Sequence, residues 1–288
     1  MSVQELAPPP RGTEVRGPSA LGTDPRRLGR LTWLLAVTDF RLTFFGSALG
    51  YLWQLVQPLM LFGVLYAVFS LLLKFNGSER FYAVALLLGI VLFSFLDEAT
   101  SGAVRSLVNR EGLVRKVEFP RLAVPMATVL TAFFNLLLNL VPVLIFLVAA
   151  GGSVRWTWLE VPVLLVLLAA FALGLAMLLS ALFVRYRDVE PIWAVLMRVV
   201  FYATPIFYTV DLVRQKASEG IVTLMMCNPF AAILQQTRHA LVDPSHPSVT
   251  SIMSSPWLVL IPLGLSVAVF CVGYLVFAKA APRVAEEL

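Results

Sequence analysis

Charge, cysteine and histidine are scarce in this chain, and each shortage removes a class of function. Asp, Glu, Lys and Arg make up 14% of the 288 residues, too few to solvate the surface of a water-soluble domain, where about 25% is usual. With only Cys227 and Cys271 and two histidines, neither a disulfide framework nor a zinc site is supported. No G-x-x-x-x-G-K-S/T loop and no H-E-x-x-H pair occurs. Energy for any work must therefore come from elsewhere. The first 30 residues carry Pro8, Pro9, Pro10, Pro18 and Pro25 among glycines and arginines, without the apolar core of a cleaved signal peptide. They are expected to form a disordered cytoplasmic tail.

What the chain has in excess is apolar length. It is 59% hydrophobic with a mean hydropathy of +0.85, so its solvent is lipid. Six runs are long enough to span a hydrocarbon core at about 1.5 Å per residue: Tyr51–Leu73, Phe81–Thr100, Leu122–Ala149, Leu159–Val184, Pro191–Tyr208 and Pro256–Ala278. The net charge of +5 would suit nucleic acid were it clustered on one soluble face. Instead fifteen of the 22 Lys and Arg fall in one set of gaps and six in the other, with Arg198 inside a run. That asymmetry orients a membrane protein, argues against nucleic-acid binding and puts both termini in the cytoplasm.

Ahead of the first run, Leu31–Phe45 is too short to cross. At 100° per residue Thr32, Ala36, Asp39 and Thr43 make a narrow polar stripe, and Trp33, Leu34, Val37, Phe40, Phe44 and Phe45 cover the rest. Such a segment lies along the membrane surface and turns inward at Gly46 and Gly50; the alternative is a tight helical hairpin inside the bundle. After the second run, Ala103–Arg121 reads as a short helix broken at Gly112, either a docking element for a soluble partner or a solvated connector. Between the fifth and sixth runs, Ile221–Cys227 and Phe230–Leu234 are apolar, split by Asn228-Pro229, and too short to cross. They suit a re-entrant helical hairpin on the outer side, or else a small external subdomain.

Chemistry-bearing residues are few. Arg198 sits about 10 Å of helix rise into its run, where a guanidinium needs a partner or water. Its candidate partners are a substrate phosphate, Asp97 or Glu98, and the lipid headgroups. Asp97 and Glu98 themselves point about 100° apart on a helix and make a poor catalytic pair. Thr128, Thr131, Asn135, Asn139 and Pro142 share one face of the third run, which must meet protein or water. Ala172, Ala176 and Ser180 permit close packing of the fourth. Tyr51, Trp53, Tyr66, Phe69, Phe201, Tyr202, Phe207 and Tyr208 sit near span ends, as interfacial belts do; aromatic faces also stack on sugar rings.

These residues carry a family resemblance. Arg41 through Pro58, ending Leu49-Gly50-Tyr51-Leu52-Trp53-Gln54-Leu55-Val56-Gln57-Pro58, resembles the entrance motif of permease subunits of ATP-binding-cassette exporters for polysaccharide, O-antigen, teichoic acid and galactan. Leu113-Val114-Arg115-Lys116-Val117-Glu118-Phe119-Pro120-Arg121, Tyr186-Arg187-Asp188, Thr204-Pro205-Ile206-Phe207-Tyr208 and Asn228-Pro229-Phe230 followed by Arg238 are similar to further family segments, in order, from about residue 30 onward.

The resemblance implies an all-α membrane protein of six transmembrane helices preceded by an interfacial helix (31–45), with a re-entrant hairpin at 221–241, all within a permease domain spanning 31–288. It implies a homodimer in the inner (plasma) membrane of a bacterium, working with two copies of a separate ATPase that binds ATP and Mg. The cargo would be a glycan on a lipid-diphosphate carrier, and this chain would hold no cofactor and do no bond chemistry. A coupling helix at 103–118 would meet the ATPase through Arg105, Asn109, Arg110, Glu111, Arg115 and Lys116. Arg41, Tyr51, Trp53, Tyr66, Phe69, Arg198, Phe201 and Tyr202 would line the substrate path. One departure concerns the residues before Leu49-Gly50: family members carry several basic side chains there, and this chain has Thr43-Phe44-Phe45-Gly46-Ser47. Arg41 is left nearly alone, and the weight of phosphate recognition moves toward Arg198. Other classes fit less well. A drug or simple-lipid exporter predicts a cavity without sugar-stacking aromatics, an ion-coupled transporter wants midplane ionisable groups beyond Arg198, and a membrane transferase wants paired carboxylates or a metal.

Overall fold

The computed structural model describes residues 24–44, 50–72, 81–112, 119–253 and 255–283, and every described element is helical. Helix α1 is Pro25–Phe44. It begins earlier than the boundary expected at Leu31, because Asp24 accepts the Arg26 backbone N–H at 2.8 Å and Pro25 supplies a preset first turn. An aspartate cap followed by proline is a start signal written in the sequence. Thr32 and Ala36 of the expected polar stripe are buried against the bundle, while Trp33, Leu34 and Leu42 are exposed. Leu28 is buried as well, and Arg26, Arg27, Arg30 and Arg41 share the exposed side with those apolar residues.

Five helical segments are long and apolar enough to cross a membrane among the described residues: Leu52–Ser70, Tyr82–Val104, Ala123–Ala149, Trp156–Arg185 and Trp257–Ala280. The first comprises α2, Gly50–Tyr66, continued by a π-helical turn at Ala67–Leu72. Then come α3 (Tyr82–Val104), α4 (Ala123–Ala149) and α5 (Glu160–Arg185). α3 is the central post: most of it is buried, whereas the first segment is largely exposed. Its Leu86, Leu88, Ile90 and Leu92 meet Leu136 and Val143 of α4 and Leu168, Ala172 and Ala176 of α5 in one core.

The run expected at Pro191–Tyr208 is helical only over α6, Val189–Ala203. Thr204 is extended, with φ −94° and ψ 142°, as the residue before a proline tends to be, and Pro205 donates no backbone N–H to continue the helix. The outer segment folds as α7 (Val210–Lys216), α8 (Glu219–Cys227), α9 (Pro229–Thr237) and α10 (Val249–Ile252), with a π turn at Arg238–Val242. Asn228 separates α8 from α9 by accepting the Phe230 N–H at 3.0 Å, with Pro229 at the first helical position. The two faces of this segment part ways. Val222 and Met226 pack with Val249, Ile252 and Met253, whereas Phe230, Ile233 and Leu234 enter the central core.

Helix α11 (Leu260–Ala280) lies along α5. Their backbones meet at glycines: a Cβ at Gly273 would overlap the Gly174 carbonyl, and one at Gly174 would come within 2.7 Å of the Phe270 Cα. At the other end of the bundle, Leu28 of α1, Leu107, Phe119 and Phe277 form a second cluster.

Candidate functional site

A cavity of about 730 Å³ opens between α2, α3, α4 and α6. The spacing Ser94, Asp97, Glu98, Ser101 on α3 puts four polar side chains on one helical face, and all four line it, with Gln54 and Gln57 of α2 and Asn139 of α4. Arg198, Phe201 and Tyr202 of α6 form the facing wall. The two adjacent carboxylates have separate partners, as their divergence on the helix requires. Ser101 Oγ donates to Asp97 at 2.8 Å, and the Asn135 amide donates to Glu98. Arg198 is exposed, and among the described residues neither Asp97 nor Glu98 forms an ion pair with it. Its guanidinium donors therefore face open volume. The foot of α6 is held to α3 by Trp193 Nε1, which donates to Thr100 Oγ1 at 3.0 Å.

Aromatic rings continue the wall outward. Phe201 is edge-on to Phe93 at 4.9 Å and to Tyr202 at 5.3 Å, Phe93 reaches Phe230 of α9 at 5.9 Å, and Phe69 stacks obliquely on Phe207 at 4.7 Å. The structure thus gathers Arg198, Phe201 and Tyr202 at the cavity, with Phe69 in the adjoining aromatic group. It does not gather the others. Tyr66 stacks on Phe62 at 5.6 Å, Trp53 is exposed, and Arg41 lines a separate hollow with Phe40 and Phe134. The Tyr51 side chain lies outside the described residues. Gln54, Gln57, Ser94, Asn139 and Phe93 were not on the expected path; the repeated three- and four-residue spacing on α3 was the available signal for Ser94, and the polar face of the third run already required Asn139 to meet protein or water.

At the outer end stands a residue that the sequence marks only as part of a family segment. Arg238, 4% exposed, donates to the carbonyls of Ala85 at 3.2 Å, Pro205 at 2.5 Å and Ile206 at 2.6 Å. It joins the π turn to α3 and to the elbow after α6. Gly89 leaves room for it, since a Cβ there would stand 3.1 Å from Arg238 Nη2. Nearby His246 is buried, and that burial, with Arg238 second, lowers its pKa to about 4. It is neutral at physiological pH.

The expected partner-facing residues follow α3. Arg105 pairs with Glu190 of α6 at 2.6 Å, Arg110 pairs with Asp39 of α1, Asn109 is exposed and Glu111 is half-buried. Arg115 and Lys116 lie outside the described residues. Among the described residues no three His, Cys, Asp or Glu side chains gather as a metal would need.

A helical membrane protein with a polar, aromatic-walled cavity among its spans, and no nucleotide-binding loop in its sequence, is built as the conduit part of a transporter. The chain belongs to the ABC-2 type transporter family, whose profile matches residues 30–242. It is 26% identical over 246 residues to an O-antigen export system permease protein RfbA of Klebsiella pneumoniae, covering 83% of this chain and 92% of that one. An RfbA permease of Myxococcus xanthus is 23% identical over 220 residues, covering 76% and 83%. The chain is accordingly a multi-pass transport subunit. ATP is hydrolysed by a separate ATP-binding subunit with which it partners.

Proposed function

We propose that this chain exports a polysaccharide, carried on a lipid phosphate or diphosphate, from the cytoplasmic to the outer side of a bacterial inner (plasma) membrane. Two copies form the conduit and two copies of the ATP-binding subunit drive it. In this reading α6 is the fifth of six spans in chain order, about 22 Å long at 1.5 Å per residue and completed by the Thr204–Tyr208 elbow. α1 lies in the cytoplasmic interface, and α8 and α9 form a hairpin that re-enters from outside, its broken backbone satisfied by protein, as burial in a membrane requires. Both termini are cytoplasmic, in keeping with the Lys and Arg asymmetry. The segment 103–118 meets the ATP-binding subunit, and the O-antigen permeases among its relatives support the cargo class.

The observation that carries the proposal is the make-up of the cavity wall. Carboxamides of Gln54, Gln57 and Asn139, the hydroxyl of Ser94 and the carboxylate of Asp97 suit the hydroxyls of a glycan. Phe201 and Tyr202 offer ring faces, and Arg198 offers a phosphate fork. A drug or simple-lipid path would want fewer polar groups.

The test uses the full chain with its ATP-binding subunit in proteoliposomes, supplied with a lipid-linked O-antigen glycan. Arg198→Gln is expected to slow export about tenfold, the scale of one charge-assisted hydrogen bond. Thermal stability should barely move, because an exposed side chain is being changed. Parallel losses of export and stability would overturn the phosphate role, and no ATP-dependent export by the wild-type complex would overturn the function.

A further inference from the structure

Two arginines that the sequence offers as partner contacts each pair with a carboxylate of this chain. Arg110 pairs with Asp39 across 71 residues of sequence, and the two side chains are only 20% and 32% exposed. The Arg110 Nη1 is enclosed with no hydrogen-bond partner, so this guanidinium depends on Asp39 for its neutralisation. Half-buried pairs of this kind are worth more than surface ones, because removing one partner strands the other charge. The same segment is fastened to α1 by packing, since Leu107 is wholly buried in the cluster that contains Leu28. Toward the other side, Arg105 reaches Glu190 at 2.6 Å, in the first turn of α6. That pair is 59% and 39% exposed and correspondingly weaker.

The two targets are not arbitrary. α6 carries Arg198, Phe201 and Tyr202 along one wall of the cavity. α1 clasps α4 through Thr131 Oγ1, which donates to the Ala36 carbonyl at 3.3 Å, and through Trp33 and Phe40, each edge-on to Phe134 at 5.6 and 5.7 Å. The segment after α3 is thus tied by side chains to the surface helix on one flank and to the cavity wall on the other.

We propose that Arg110 and Arg105 are positioning residues that transmit movement of the segment 105–112 to α1 and α6, through Asp39 and Glu190, and that neither touches the ATP-binding subunit. This rests on the reading that the segment meets that subunit. It assigns the contact itself to other residues of the segment, such as exposed Asn109, and gives Arg110 and Arg105 the task of turning a push into a coordinated displacement of both flanks. A pair that holds two elements in register can bias a two-state movement only by the energy it loses when they separate. The half-buried Asp39 pair therefore carries the larger share.

The experiment measures ATP hydrolysis by the complex in proteoliposomes, with co-purification of the ATP-binding subunit as the second readout. Asp39→Arg is expected to lower the hydrolysis stimulated by this chain about threefold or more, the scale of coupling between contacting charged residues. Co-purification should be unchanged. Combining Asp39→Arg with Arg110→Asp restores stimulation to within about twofold of wild type, since the pair is re-formed with its charges exchanged. Glu190→Arg with Arg105→Glu behaves alike with a smaller amplitude. Asp39→Asn keeps the size of the side chain and should show the same loss if the larger variant is poorly folded. Wild-type stimulation in Asp39→Asn, or a double exchange that fails to recover, overturns the proposal. If Arg110→Asp alone loses the ATP-binding subunit from the complex, Arg110 is a contact; the proposal falls and the reading of the segment survives. If Asn109→Lys and every other change in the segment leave both readouts untouched, that reading falls as well.

Discussion

Arg238→Met is expected to destabilise the protein by on the order of 4 kcal/mol or more, lowering the apparent unfolding midpoint in detergent by about 10 °C. The guanidinium is almost wholly buried and donates to three carbonyls from two distant parts of the chain, Ala85 in α3 and Pro205 and Ile206 beyond α6. A methionine of similar length fills the space and leaves those acceptors short of a donor. Pro205 and Ile206 lie in a non-helical elbow with few alternatives nearby. Arg238→Lys keeps the charge and loses the fork, so it should recover part of the difference and no more. A midpoint unchanged in Arg238→Met, measured on protein that still inserts, would show that the elbow is held by something else.

The second large effect is steric. Gly273→Val should separate α11 from α5, because even a first added carbon overlaps the Gly174 carbonyl. Between membrane helices there is no hydrophobic drive to restore the contact, so close packing of small residues carries the association. A cost of about 2–5 kcal/mol is expected, with loss of the folded species on size exclusion. Gly264→Ala supplies the control on the same helix, since nothing lies within 4 Å of a Cβ at Gly264. That change should be neutral or slightly stabilising through helix propensity. Equal behaviour of the two variants would contradict the glycine crossing.

Much of the architecture was legible because a hydrocarbon solvent imposes length on apolar runs directly. α3, α4, α5 and α11 fall within a few residues of the expected bounds. Helix ends were less legible, although their signals were present: Asp24-Pro25 starts α1, and Thr204-Pro205 stops α6. The polar face of α4 divides in use. Thr131 and Asn135 bond to neighbouring helices, whereas Asn139 lines the cavity. At the site itself, Arg198, singled out for its depth, and Phe201 and Tyr202, singled out as aromatics near a span end, line one cavity. The carboxylates of α3 were judged only as a catalytic pair or as partners for Arg198, so their place on the cavity wall was missed. Arg238 was marked only as part of a family segment, and its structural role was not legible. Hydropathy places it among outer charges, and nothing local marks a guanidinium whose acceptor in α3 lies 153 residues away.

The central claim is that cargo passes through the cavity between α2, α3, α4 and α6 while the partner supplies the energy. Ser94 points into that cavity. In a chain whose Cys227 and Cys271 have been replaced, the variant Ser94→Cys provides a single handle for a bulky maleimide. With the labelled chain joined to its ATP-binding subunit in proteoliposomes, glycan export should fall to background while ATP hydrolysis continues. Export at the unlabelled rate, with the label shown to be in place, would mean that the cargo takes another route.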